Sequence, residues 1–186
     1  MAGPDSSLIK KLRVYAGTQL NALPKPTASL SGIPEVIRDA SSRHKLQTRV
    51  ADESYGQGFG SFVDAWFYKD TADFRLKPLT PGEQHFIGLY ILFSRLAPFY
   101  VMGEGAKSWS GRGGSSYLPD FEGTDRLTHP AVKHLSIQLD TFITSRGFVR
   151  LSKADVAPLL PEDLQFDSNL SDGAPRLFDA LFFWND

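Results

Sequence analysis

The stretch TPGEQHFIGLYILFSRLAPFYVMGEG, residues 80–105, contains a long apolar run near the middle of the chain. No charged residue interrupts this run from Phe86 to Ser94, and the apolar character resumes after Arg95. Such a segment forms a membrane span, the packed centre of a globular fold, or a site built around a buried charge. These three interpretations imply different kinds of protein.

The residues that flank the run favour a helix within a globular core. Thr80, Pro81 and Glu83 match the capping box that begins a helix, and Pro98 disfavours helical backbone at the residue before it. The pattern therefore predicts a helix over about 81–97. Apolar residues cover nearly its whole circumference, as is typical of a buried helix. A membrane-spanning helix needs about 20 mostly apolar residues, which this interrupted segment lacks.

The rest of the chain predicts an α+β fold, with a small and mainly antiparallel sheet packed against helices. We expect residues 1–186 to form a single globular domain. Hydrophobic spacing and turn residues predict the elements around the central helix. They are helices at about 7–20, 34–42 and 128–146, a short helix capped by Ser152 and Asp155, and strands at about 61–69, 99–102 and 176–186.

Composition excludes several classes of protein. The chain has 186 residues, of which 41% are hydrophobic, 22% charged and 12% aromatic, so it should fold around a core. It contains no cysteine, which excludes disulfides, thiolate metal sites and cysteine nucleophiles. The first residues contain no apolar run long enough for a signal peptide. We therefore expect a cytoplasmic protein.

Charge is balanced overall but uneven along the chain. The formal net charge is −1, so we expect no general attraction to nucleic acid. Residues 1–50 hold 8 basic and 3 acidic residues, whereas residues 151–186 hold 2 basic and 7 acidic ones. The asymmetry indicates either a surface for a partner or two ends of the chain that pack together.

No motif in the sequence indicates a particular reaction. The four histidines lack the spacing of a helical zinc site, and the glycines of YGQGFG (55–60) lack the context of a phosphate-binding loop. We expect neither metal nor cofactor. Arg95 follows the apolar run, so we expect it to pair with Asp64 or Asp179. Alternatively, Arg95 and His85 line a pocket for a small molecule.

A long polar segment offers the best candidate for a binding site. Residues 108–127 read SWSGRGGSSYLPDFEGTDRL, and loops of this length are usually functional or mobile. The segment combines aromatic rings with carboxylates, and aromatic anchors ringed by charge are typical of protein interfaces. The candidate partner-binding residues are Trp109, Tyr117, Asp120, Phe121, Glu122 and Asp125.

Two further stretches resemble a known class of proteins. YILFSRLAPFYVMGEG (90–105) and LFDALFFWND (177–186) resemble the immunity proteins encoded beside bacterial polymorphic toxins. The resemblance implies a non-enzymatic, cytoplasmic α+β protein that neutralises a cognate toxin by covering its active site. It assigns no role to any single residue.

The sequence therefore favours a protein-binding protein, with two alternatives from other classes. One is a small-molecule-binding domain or enzyme with a pocket around Arg95 and His85. The other is a structural subunit of a phage particle or a secretion assembly. A pocket that contains both residues would favour the first alternative, whereas a surface that contacts copies of the same chain would favour the second.

Overall fold

The structure is a computed structural model that describes residues 32–51, 59–160, 174–182 and 184–185. The helix predicted at 7–20 lies outside these residues. The described elements are, in chain order, α1 (Ile33–His44), β1 (Gln47–Ala51), β2 (Phe59–Gly60), β3 (Phe62–Tyr68), a 3₁₀ turn (Ala72–Phe74), β4 (Gln84–Ser94), β5 (Phe99–Trp109), α2 (Pro130–Ser145), β6 (Val149–Arg150), α3 (Lys153–Val156), α4 (Leu177–Leu181) and β7 (Trp184–Asn185).

The main sheet has five strands in the order β1-β3-β4-β5-β6. Neighbouring strands are antiparallel except β5 and β6, which run parallel and are connected through α2. Strands β2 and β7 form a separate antiparallel pair. The predicted α+β class and the mainly antiparallel sheet are therefore confirmed. None of the described helices combines the length and the apolar character that a membrane crossing requires.

The prediction of a buried central helix at about 81–97 is wrong. Residues Gln84–Ser94 form β4, the middle strand of the sheet, which pairs with β3 on one side and β5 on the other. The segment is buried as expected, since Leu89 and Ile91–Phe93 have no solvent exposure. A strand covered on both faces reads as a continuous apolar run, because neither set of alternate side chains meets water.

Alternate residues of β4 face opposite sides of the sheet. One side, the helix face, carries Leu89, Ile91 and Phe93 and packs against α1 and α2. Helix α2 corresponds to the helix predicted at about 128–146, and its apolar stripe is buried; the stripe consists of Val132, Leu135, Leu139 and Phe142.

The other side of the sheet, the loop face, is covered by the chain that follows β5 and by α4. Buried Ser61 and Ser94 both donate hydrogen bonds of 3.1 Å to the carbonyl of Leu181, which fixes α4 over one end of this face. The predicted closing strand at 176–186 is therefore partly wrong, because Leu177–Leu181 are helical and only Trp184–Asn185 form a strand.

Candidate protein-binding surface

The six candidate residues lie at the end of β5 and in the chain that follows it. Trp109 is the last residue of β5, and the chain turns back so that Ser116 forms an antiparallel bridge with Lys107. The predicted loop at 108–127 therefore begins as an extension of the sheet. The rings of Trp109, Tyr117 and Phe121 are each half-buried, so each packs on the protein while part of it faces solvent.

Tyr117 lies where the strands contain glycine. A Cβ atom at Gly105 would lie 2.4 Å from the Tyr117 ring, which leaves no room for a side chain. The ring also stacks on Tyr90 with 5.0 Å between centroids, and its hydroxyl donates a 2.6 Å hydrogen bond to Asp64. Glycine therefore admits the ring, and the buried Asp64 carboxylate fixes its orientation.

Trp109 belongs to a separate group of rings and cations at the end of β5. Its ring stacks on Phe86 at 5.4 Å, and the Arg49 guanidinium lies 3.8 Å from the centre of the Trp109 ring. Cations at this distance are attracted by the electron density of the ring face. The Arg75 guanidinium lies 5.2 Å from Phe86, so the two rings and two cations form a compact cluster.

Lys107 lies between these two groups of aromatic rings. Its Nζ lies 4.7 Å from the Tyr117 ring centre and 5.8 Å from that of Trp66. Burial lowers the pKa of Lys107, and the positive charge of Arg49 lowers it further, while Asp64 acts in the opposite direction. The loop face therefore carries two neighbouring cations, one of them partly desolvated.

The turn at 120–125 carries the other four candidate residues. Asp120 accepts a 2.6 Å hydrogen bond from the Gly123 amide, and Phe121 packs edge-on against Phe178 of α4. Lys153 Nζ and the Arg176 guanidinium lie 4.9 and 4.6 Å from the Phe121 ring centre. The turn is thus fixed against α4 and the start of α3.

Ion pairs hold the same turn against the rest of the fold. Arg150 pairs with Asp125 at 2.7 Å and with Asp140 of α2 at 3.2 Å. Lys153 pairs with Glu122 at 2.7 Å, which lowers the pKa of Glu122. Asp125 adopts a φ of 59°, a left-handed conformation that is uncommon for residues other than glycine.

The Tyr90 hydroxyl lies beneath the turn. It is buried and has no hydrogen-bond partner among the described residues. Burial raises the pKa of Tyr90, and the nearby Asp120 raises it further. A Cβ at Gly103 would lie 2.4 Å from this hydroxyl, and one at Gly123 would lie 2.6 Å from it. The turn and β5 therefore approach each other closely over the Tyr90 ring.

The structure places His85 and Arg95 far apart. His85 is the second residue of β4 and Arg95 follows its last residue, so roughly 30 Å of extended chain separate them. His85 Nδ1 lies 2.8 Å from the Lys77 carbonyl, and Arg95 Nε donates to the Phe62 carbonyl. A single pocket containing both residues therefore lacks geometric support. The expected carboxylate partner of Arg95 stays a prediction.

A groove on the helix face also lies near titratable groups. It has a volume of about 820 Å³ and lies between the 3₁₀ turn and the first half of α2. Lys69, Asp73, His129 and His134 contribute to its lining. Within the described residues, no group of three or more histidine and acidic side chains is arranged to hold a metal ion.

Sequence reasoning missed several residues of the loop face, namely Arg49, Asp64, Tyr90 and Lys107, as parts of the candidate surface. The sequence contained a signal for two of these residues, Asp64 and Tyr90. An aspartate inside the apolar strand FVDAWFY needs a polar partner when it is buried, and alternating glycines in VMGEG indicate that another group approaches the strand.

Comparison with known proteins finds no match to this chain, whether among family models, curated proteins or solved structures.

Proposed function

We propose that this chain is a non-enzymatic protein-binding protein of the immunity class, which neutralises a cognate bacterial toxin by covering its active site. The observation that carries the proposal is the turn at 120–125. It is fixed on several sides by Asp120, Phe121 and Asp125, while Asp120 and Glu122 remain exposed. A rigid surface loses little conformational entropy on binding, which favours affinity.

The two exposed carboxylates of the turn at 120–125 favour a basic partner. The exposed carboxylates of Asp120 and Glu122 flank the half-buried Phe121 ring, and complementary charge increases the rate at which proteins associate. A toxin whose active site binds an anionic substrate, such as a nuclease, has the required positive charge. The resemblance of two stretches to immunity proteins supports the class of partner.

Co-expression tests the proposal. The protein encoded by the neighbouring gene is expressed alone and together with this chain in a bacterial host, and growth and complex formation are measured. We expect the neighbour to inhibit growth when alone, the chain to restore growth, and the two proteins to co-elute. Normal growth with the neighbour alone, or two separate elution peaks, would contradict the proposal.

An assembly subunit is the second candidate, because β1 forms one edge of the described sheet and the Val50 side chain on it is 45% exposed. Repeated contacts between copies require such a surface. Sedimentation of the purified chain separates the candidates, since a subunit should form large assemblies and an immunity protein should not.

A further inference from the structure

Strand β1 forms an edge of the main sheet. Among the described residues its only strand neighbour is β3. The outer side of an edge strand presents N–H and C=O groups that can pair with another extended chain. The β1 residues alternate between the two faces, so that Arg49, opposite Trp66, projects to the loop face and Val50, opposite Ala65, to the helix face.

The two sides of this edge differ in chemistry. On the loop face, Arg49 is exposed and close enough to Lys107 for its charge to lower the pKa of that lysine, while the buried Asp64 carboxylate acts on Lys107 in the opposite direction. On the helix face, the exposed Val50 is apolar. Lys45 precedes the strand and Lys69 follows β3 at the same end. Positive charge therefore predominates around the edge.

The edge is also continuous with the candidate surface, because the Arg49 guanidinium lies over the ring of Trp109. A chain added beside β1 would place alternate side chains next to Arg49 and the others next to Val50. The first set should be acidic for charge complementarity, and the second set should be apolar.

We propose that β1 binds an extended segment of a protein partner in which acidic and apolar residues alternate. The segment pairs with the β1 backbone, as in other cases where a peptide extends a sheet. Its carboxylates meet Arg49, and its apolar side chains cover Val50. This inference rests on the proposed function only for its premise that the partner is a protein.

The test uses synthetic peptides and the full chain. The probe is a capped, fluorescent heptapeptide of alternating glutamate and valine, and binding is followed by anisotropy. One control peptide has the same composition in two blocks, and a second carries N-methyl groups on alternate amides. We expect the alternating peptide to bind and both controls to bind at least about tenfold more weakly, because β pairing needs both the alternation and the amide donors.

A charge exchange tests the role of Arg49. In the Arg49→Glu variant, affinity for the glutamate–valine peptide should fall about tenfold or more, and a lysine–valine peptide should gain affinity. The matched control is Arg38→Glu on α1, whose side chain is 71% exposed; it should leave both affinities unchanged. The melting temperature of each variant shows whether it is folded.

Several results would overturn the inference. They are absence of peptide binding to the folded wild-type chain, binding that N-methylation does not weaken, and a dimer of the chain that Arg49→Glu dissociates. Failure of the peptides with an intact complex in the co-expression experiment would reject the β1 site and leave the proposed function standing. Peptide binding without a complex in the co-expression experiment would reject the proposed function and leave the β1 site standing.

Discussion

Individual glycines determine which rings reach the loop face. The strand predicted at about 99–102 continues to Trp109, so that Gly103 and Gly105 both lie inside β5. Both glycines remain paired with β4, and Tyr90 and Tyr117 occupy the space that side chains at these glycines would fill. The sequence shows that something approaches the strand, but not which ring. Tyr117 comes from a turn whose path depends on the rest of the fold.

Replacing Gly105 with alanine tests this packing. The new methyl group would lie 2.4 Å from the Tyr117 ring, so the ring or the strand must shift. We expect the free energy of unfolding to fall by about 1–3 kcal/mol, as is usual for overpacking. Gly111→Ala is the control, because nothing lies within 4 Å of its Cβ position. Equal stability of the two variants in denaturant unfolding would show that the ring does not occupy this site.

A second residue-scale prediction concerns Glu104, which caps α2 from the neighbouring strand. Its carboxylate accepts hydrogen bonds from the amides of Thr128 and His129 at 2.7 and 2.8 Å. Burial alone would raise the pKa of Glu104, but these hydrogen bonds hold it below its ordinary value. The carboxylate therefore stabilises the fold above the ordinary pKa, and this contribution is lost as the pH falls through the depressed one.

Glu104→Gln should accordingly destabilise the protein at neutral pH. We expect a loss of about 1.5–3 kcal/mol, the range for hydrogen bonds to charged groups. The difference from wild type should shrink as the pH falls below about 4, because the unfolded wild-type chain then binds a proton that the folded carboxylate takes up only at lower pH. Denaturant unfolding of both proteins from pH 3 to pH 7 measures this difference. A loss that stays constant over this range would exclude the ionised cap.

At the scale of elements, two similar motifs have different outcomes. Ser152 and Asp155 form the predicted capping box, and helix α3 begins there. Thr80 and Glu83 also make the predicted contact, since the Thr80 amide donates to the Glu83 carboxylate at 3.0 Å. That contact closes a turn before a strand. A capping box satisfies local donors only, and the element that follows depends on its neighbours.

The choice between helix and strand for β4 was therefore decided by tertiary structure. An apolar run without a period fits a buried helix and a buried strand equally well. Pairing with β3 and β5 satisfies its backbone on both sides, and Gly88 lets the Trp66 ring lie against the strand. Elements with a clear period, such as α2, were predicted correctly because one face of each is polar.

The position of β4 at the centre of the sheet predicts the effect of a cavity. Leu92 has no solvent exposure, so Leu92→Ala should lower the free energy of unfolding by about 2–5 kcal/mol. Leu79→Ala is the matched control, because Leu79 is 64% exposed and should change stability by less than about 0.5 kcal/mol. Chemical denaturation compares the two, and a loss below 1 kcal/mol for Leu92→Ala would contradict a central buried strand.

At the scale of the whole molecule, the candidate surface is assembled from distant parts of the chain. The segment 108–127 supplies the rings and carboxylates, but β1, β3 and α3 supply Arg49, Asp64 and Lys153. Local sequence indicates which residue types suit an interface. It does not indicate the pairing of strands that brings those residues together. The sequence therefore predicted a site within one segment, and the structure adds the residues from other elements that surround it.

Association kinetics test whether the turn at 120–125 binds a partner through its carboxylates. Asp120→Asn together with Glu122→Gln removes two charges, and the amide oxygens can still accept the hydrogen bonds from Gly123 and Lys153 that the carboxylates accept now. Glu35→Gln, an exposed acid on α1, is the control. The partner is the protein encoded by the neighbouring gene, and surface plasmon resonance measures the rates at several salt concentrations.

We expect the double variant to associate about tenfold more slowly than wild type at low salt, because two attracting charges are lost. This difference should shrink as salt rises, and Glu35→Gln should behave as wild type. Equal association rates for wild type and the double variant at low salt would contradict the assignment of this turn as the binding surface.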